Sequence, residues 1–288
     1  MAGHQHRIAV SVTLFCGIWR FGWIGFGMDK VPPEAAFLDL SDYARPAALW
    51  LVRALLATPI MPMHLTLAFA GVGLAAAVLF ALDRWLPLAG VLLLLKSLLD
   101  AADGSLARAR RKPSRVGRFL DSVCDFGVTV AVFGGIASGQ HARTGESYWL
   151  LAALAVLCAT LQGSLFNYYY VRYRAQTGGD QTSQVDETAS GGYAGDNPTA
   201  LKILHTLYRF IYSWQDALMA RLDGWLAPQS AQLKPAFLTA TTVLGLGFQL
   251  FVTAGCAALG QPVWALWAFV TVFNGYALAL FFLRRRAP

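Results

Sequence analysis

Acidic side chains are scarce in this sequence, with 16 Asp and Glu among 288 residues. Charged residues of both signs reach only 14%, where a soluble domain carries roughly 25%. With 56% hydrophobic residues, that shortage excludes an ordinary soluble domain and points to an integral membrane protein. Cysteine is scarce too. Cys16, Cys124, Cys158 and Cys256 each sit in an apolar stretch without paired spacing. That excludes a disulfide framework and a zinc site, and leaves them as small core residues. No internal repeat is visible. No cleavable signal peptide is expected, because the first apolar run carries Arg20 and lacks a small-residue exit. Basic residues outnumber acids, 23 to 16. They flank apolar runs and so read as a topology signal, and no nucleic-acid partner is expected.

What the chain has in quantity is apolar runs. Six are long enough for a bilayer crossing at about 20 residues, approximately 64–82, 86–108, 117–138, 147–171, 236–258 and 262–283. The basic segment from Arg108 to Arg118, the pair Arg172 and Arg174, and the run Arg284 to Arg286 all fall on one side of a six-span layout. The positive-inside rule makes that side cytoplasmic. The run at 8–27 reads as peripheral or interfacial. Residues 47–57 have apolar positions at helical spacing with Arg53 to one side, which suits an interfacial helix; Pro59 and Pro62 end it. Within the long polar stretch 173–235, Thr199 to Leu226 reads as an amphipathic helix touching the membrane or a partner subunit. Its apolar face would hold Leu201, Leu204, Leu207, Tyr208, Ile211 and Leu218, with Lys202, Arg209, Asp216, Arg221 and Asp223 elsewhere. The expected fold is all-α: a six-transmembrane-helix bundle with an N-terminal interfacial helix and a cytoplasmic amphipathic helix. Residues 1–46 form a peripheral segment. Residues 47–286 form the membrane domain, with a cytoplasmic insertion at about 173–235.

A quarter of all the acids lie in one stretch of 26 residues, as Asp100, Asp103, Asp121 and Asp125. Asp100 and Asp103 are three apart at the inner end of the second span; Asp121 and Asp125 are four apart near the start of the third. Each pair shares a helix face, and the basic loop between them closes a hairpin. A charge within a span is costly and faces a partner or a wet cavity. Four acids cannot neutralise one another, so they need cations. Hard divalent metals with oxygen ligands answer best, and paired ions are the usual arrangement for phosphoryl chemistry. Gly104 lets a ligand approach its helix closely, Arg108 can clamp a phosphate, and Ser114 is a further candidate for an anionic group. Two other readings stay open on the residues alone: salt bridges to Lys96, Arg108, Arg110, Arg111 and Arg118, or a divalent-cation or proton pathway in a transporter.

The pattern Asp-x2-Asp-Gly-x2-Ala-Arg-x8-Gly-x3-Asp-x3-Asp resembles the signature of the CDP-alcohol phosphotransferase family. Asp100, Asp103, Gly104, Ala107, Arg108, Gly117, Asp121 and Asp125 occupy its fixed positions. The resemblance implies a membrane enzyme of phospholipid biosynthesis. It would move a phosphatidyl group from a CDP-linked lipid donor, usually CDP-diacylglycerol, to a polar alcohol acceptor and release CMP. The alternative within the family is a CDP-alcohol donor with diacylglycerol as acceptor. It implies two Mg2+ or Mn2+ ions on Asp100, Asp103, Asp121 and Asp125, with Asp125 also the base that takes the acceptor's proton. It places Gly104 and Arg108 on the cytidine diphosphate and makes Gly117 a site of close helix packing. A Pro-Asn-x2-Thr element often opens the family's first span and helps hold the nucleotide. Here it reads Pro62-Met63-His64-Leu65-Thr66, with Met63 in place of Asn and Thr66 kept as a ligand. It also implies a homodimer in a bacterial inner membrane, with the active site facing the cytoplasm. Lys96 is a salt-bridge partner of Asp100 or a ligand of the acceptor. Arg53, Arg172 and Arg174 read as flanking charges, with an acceptor phosphate as the alternative. Phe166, Tyr168, Tyr169 and Tyr170 read as an interfacial anchor, with a role in shaping the acceptor site as the alternative.

Overall fold

The computed structural model describes residues 31–179, 192–226 and 232–285, and the regular elements among them are all helical. The apolar run at 8–27 lies outside the described residues. A strap with short 3-10 turns at Pro33–Ala35 and Leu40–Asp42 leads into α1, Arg45–Leu55. Then follow α2 (Pro62–Ala81), α3 (Leu86–Ala109), α4 (Arg115–Thr144) and α5 (Trp149–Thr177). The polar stretch holds α6 (Pro198–Tyr208), a π turn at Arg209–Ser213, and α7 (Trp214–Leu226). The chain ends with α8 (Pro235–Thr241), a 3-10 turn at Thr242–Leu244, α9 (Leu246–Ala258), α10 (Val263–Val270) and α11 (Val272–Arg285).

Local chemistry sets these ends. A proline in the first turn opens α1, α2, α3, α6 and α8, where its missing N–H costs nothing. Ser114 caps α4 by accepting from the Gly117 N–H at 2.9 Å. Left-handed Gly145 and Gly178 stop α4 and α5.

Among the described residues, four helices are long and apolar enough to cross a membrane: α2, α4, α5 and the broken helix made by α10 and α11. A fifth is counted if α8 with its 3-10 turn and α9, which meet at 45°, form one span. Helix α3 has 24 residues, about 36 Å at 1.5 Å per residue. Its inner half carries Lys96, Asp100, Asp103 and Arg108, which sets it apart from the four by composition. Buried amide side chains inside the bundle find partners on neighbouring helices, as an apolar surrounding demands. Gln162 donates to the Phe269 carbonyl at 2.9 Å and to Asn274 at 2.8 Å, and Gln249 donates to the Ala159 carbonyl at 3.0 Å.

Two expectations need correction. Tyr168, Tyr169 and Tyr170 are not an interfacial anchor; all three are buried. Two of them donate to Asp223, from the Tyr168 hydroxyl at 3.3 Å and the Tyr169 hydroxyl at 3.0 Å. Asp223 itself, expected on the polar side of its helix, is 1% exposed. It is tolerated there because Arg172 and Arg284 both pair with it, and a lone buried carboxylate would not be. On the expected apolar face Leu207 is exposed, whereas Tyr208 is buried. Residues 31–44, within the expected peripheral segment, pack against the bundle. The Ser41 carbonyl lies against Gly247, where a Cβ would sit 1.8 Å from it. The Leu40 N–H donates to the Thr242 hydroxyl at 3.1 Å, and the Tyr173 hydroxyl donates to the Ala35 carbonyl at 2.9 Å. Residues 31–44 are therefore a strap packed across one end of the bundle.

Close helix approach is made by glycines in the outer half of α4. A Cβ at Gly139 would lie 2.1 Å from the Phe80 carbonyl of α2, and one at Gly135 would lie 2.4 Å from the Ala77 carbonyl. Small residues let membrane helices touch backbone to backbone. Gly117 has no such role, since a Cβ there would meet only the Ser114 side chain at 3.5 Å. Gly139→Ala is therefore expected to lower the melting temperature in detergent by roughly 3–10 °C, from an overpacking cost of about 1–3 kcal/mol. Gly117→Ala is expected to leave it unchanged. Equal melting temperatures for the two variants would refute this packing.

Candidate active site

The hairpin of α3 and α4 opens on a cavity of about 1720 Å³ lined by Asp100, Asp103, Asp121 and Asp125. Helical spacing brings each pair to one face, and the tight connection at 110–114 turns the two faces together. One carboxylate oxygen each from Asp100, Asp121 and Asp125 lies within 4.8 Å of the others. Unit charges at that distance repel by about 3 kcal/mol per pair at an effective dielectric constant of 20. Lys96 pairs with two members of this group. Its ammonium donates to Asp100 Oδ2 at 3.1 Å and to Asp125 Oδ1, and it lies 4.6 Å from the centre of the Phe69 ring. One ammonium does not balance the three carboxylates gathered here. Asp121 Oδ1 is buried with no hydrogen-bond partner among the described residues. Clustered oxygen donors and an orphaned buried carboxylate oxygen fit a hard divalent cation.

Asp103 is held differently. The Thr66 hydroxyl donates to its Oδ2 at 2.5 Å. Thr66 is fully buried and absent from the cavity wall. The first turn of α2 presses this side chain against α3, where its hydroxyl orients Asp103. Gly104 and Arg108 line the cavity with the four carboxylates. A Cβ at Gly104 would meet only the Arg108 guanidinium, at 3.4 Å and beyond, so α3 presents bare backbone to the cavity there. Arg108 also donates to the Ser105 hydroxyl at 3.2 Å. His64 lines the cavity, and its Nδ1 accepts from the Met61 N–H at 3.1 Å.

The loop basics Arg110, Arg111, Arg115 and Arg118 line the same cavity. Arg110 donates to the Leu55 and Thr58 carbonyls at 3.0 and 2.6 Å and ties α1 to the end of α3. Arg118 lies over the rings of Phe119 and Tyr208. Of the residues weighed for an acceptor, Arg172 is committed to Asp223 and Arg53 stacks over Trp50. Arg174 does line the cavity.

Ser114 lines the cavity but is already engaged. Besides capping α4, its hydroxyl donates to Asp196 Oδ1 at 2.6 Å. The other oxygen of Asp196 accepts from the Arg115 N–H at 3.0 Å and the Tyr193 N–H at 2.9 Å. A carboxylate at a helix N-terminus is favourable. Burial alone would push the Asp196 carboxyl up, but the Ser114 hydroxyl and the N–H groups of Tyr193, Arg115 and Val116 hold it below the usual aspartate value. Asp196 was missed in the sequence, although the Gly195-Asp-Asn-Pro198 run ahead of α6 marks a turn. Arg45 was missed as well; it is buried, pairs with Asp42, and lines the cavity from the strap side.

The family model for CDP-alcohol phosphatidyltransferases matches residues 46–226. The chain belongs to the CDP-alcohol phosphatidyltransferase family. It is 29% identical over 162 residues to a bifunctional IPC transferase and DIPP synthase of Thermococcus kodakarensis, covering 56% of this chain and 36% of that protein. It is 36% identical over 126 residues to an archaetidylinositol phosphate synthase of Pyrococcus horikoshii, covering 44% of this chain and 61% of that one. The chain thus spans between about a third and three-fifths of the length of these curated relatives. The crystal structure of a Mycobacterium tuberculosis phosphatidylinositol phosphate synthase with CDP-DAG bound superposes with a TM-score of 0.37 at 18% identity, over 62% of this chain and 92% of that one.

Asp196→Ala is expected to lower the melting temperature at pH 7 by roughly 2–4 °C, the loss of about 1 kcal/mol of capping. The folded-state pKa is lowered, so the contribution is complete above the ordinary aspartate value and is lost as pH falls through the lowered one. The gap between wild type and variant should close only below about pH 4. A gap that stays constant down to pH 3 would contradict the contact.

Proposed function

We propose that this protein transfers a phosphatidyl group from CDP-diacylglycerol to a polar alcohol and releases CMP, at the inner face of a bacterial cell membrane. The observation that carries the proposal is the convergence of Asp100, Asp121 and Asp125 within 4.8 Å on the wall of one large cavity, in a chain with the family's full motif. Helix α3 is taken as the sixth span, with its charged half turned inward to the cavity. The basic residues at its inner end and at the ends of α5 and α11 then all face the cytoplasm. Residues 47–286 act as the membrane domain, and a homodimer is the expected assembly.

Asp100, Asp103, Asp121 and Asp125 would hold two Mg2+ or Mn2+ ions, which when bound supply charge neutralisation for the pyrophosphate and the leaving CMP. The remaining roles belong to the chain. Gly104 lets the nucleotide approach α3 closely, and Arg108 contacts the diphosphate. Thr66 fixes Asp103 in place, so its part is to position a ligand rather than touch the nucleotide. Ser114 holds the inner end of α4 and the loop at Asp196. Asp125 takes the proton from the acceptor hydroxyl. The acceptor oxygen then attacks the phosphorus that carries the diacylglycerol, and the bond from that phosphorus to CMP breaks. The strap, through Arg45 and its neighbours, walls the side of the cavity where the acceptor enters from water.

CMP release from purified protein in detergent, with CDP-diacylglycerol and a panel of acceptors, tests this. One relative is named an archaetidylinositol phosphate synthase, so an inositol phosphate belongs in the panel beside serine and glycerol phosphate. Release should require Mg2+ or Mn2+, and Asp125→Asn should lower it by at least about 100-fold. Activity with a CDP-alcohol and diacylglycerol instead would select the reverse assignment of donor and acceptor. Metal-driven flux in proteoliposomes without CMP release from any CDP-linked donor would overturn the enzymatic reading.

A further inference from the structure

Lys96 is 1% exposed, and the catalytic scheme above leaves it without a role. Its position is specific. It sits one turn before Asp100 on α3, and its ammonium bridges Asp100 Oδ2 on α3 to Asp125 Oδ1 on α4. The cavity wall includes Asp100, Asp121 and Asp125 but not Lys96. The ammonium therefore reaches the cluster from behind, from the side of the Phe69 ring. Its contacts use one oxygen of each carboxylate and leave Asp100 Oδ1 and Asp125 Oδ2 outside them.

An ammonium placed this way does two things. It joins carboxylates from two helices through charge-assisted hydrogen bonds, which fix their separation and rotation. It also lowers their mutual repulsion without occupying the cavity. A cation competing for the metal's place would instead sit among the cavity-facing oxygens.

We propose that Lys96 is a positioning residue: a buried cationic post behind the carboxylates that orients Asp100 and Asp125 for divalent cations and stays in place when they bind. This rests on the metal-dependent reading above. Groups that orient metal ligands from outside typically carry 10–100-fold in metal affinity. Lys96→Met should therefore bind Mn2+ at least about tenfold more weakly than wild type.

The test is a Mn2+ titration of the full chain in detergent without substrate, followed by electron paramagnetic resonance. The variant's fold is checked by its melting curve. Weaker binding with an altered Mn2+ spectrum in Lys96→Met is the expected result. Equal or tighter binding with an unchanged spectrum would overturn the proposal while leaving the metal site intact. A wild-type protein that binds no Mn2+ would overturn the metal reading itself and this proposal with it. Should Lys96→Met not fold, wild-type protein decides the question. Acetic anhydride labelling read by mass spectrometry should leave Lys96 unmodified with and without Mn2+. Labelling that appears when Mn2+ is added would mean that the metal displaces the ammonium, and would overturn the proposal.

Discussion

Like charges held close in an apolar bundle are the constraint on which this structure turns. Three carboxylate oxygens lie within 4.8 Å of one another, on two helices that must also pack. No arrangement of a soluble kind relieves this, because water reaches only one side. The chain responds from behind and from the flank. Lys96 bridges Asp100 and Asp125, and Thr66 ties Asp103 to α2. Asp121 is left with an unpartnered buried oxygen. The imbalance that remains faces the cavity, where a cationic ligand can complete it.

The rest of the molecule holds that geometry steady. Backbone-to-backbone contact of α2 with the outer half of α4, at Gly135 and Gly139, sets the angle at which α4 presents Asp121 and Asp125. Arg110 fastens α1 to the end of α3. Ser114 and Asp196 fasten the start of α4 to the polar stretch. A second buried charge group, Asp223 with Arg172 and Arg284, joins α5, α7 and α11. A partly paired buried ion group is costly, whereas a fully paired one specifies how its helices dock. The strap closes the remaining side by lying on Gly247 and Thr242.

Much of this was legible in the residues. The positions of the long helices follow from apolar runs, and the Asp spacing already places four carboxylates on facing helix sides. What was not legible has a common cause. Leu40 meets Thr242, Thr66 meets Asp103, and Tyr169 meets Asp223; each contact joins distant parts of the chain. A Tyr near a span end reads as an anchor, and an Asp on a helix reads as solvated, unless the partner that buries it is known. The reading of Gly117 as a packing glycine failed for the same reason, since the neighbour it was expected to touch is not there. Helices α4 and α5 continue past their apolar runs, because polar residues in the last turns keep helical backbone without adding to the apolar signal.

The most direct measurement is anomalous scattering from crystals of the full chain grown or soaked with Mn2+. The account predicts two peaks on the cavity side of Asp100, Asp103, Asp121 and Asp125, with Lys96 still against Asp100 and Asp125. Well-ordered carboxylates with no Mn2+ peak between them, or peaks bound only elsewhere on the molecule, would contradict it.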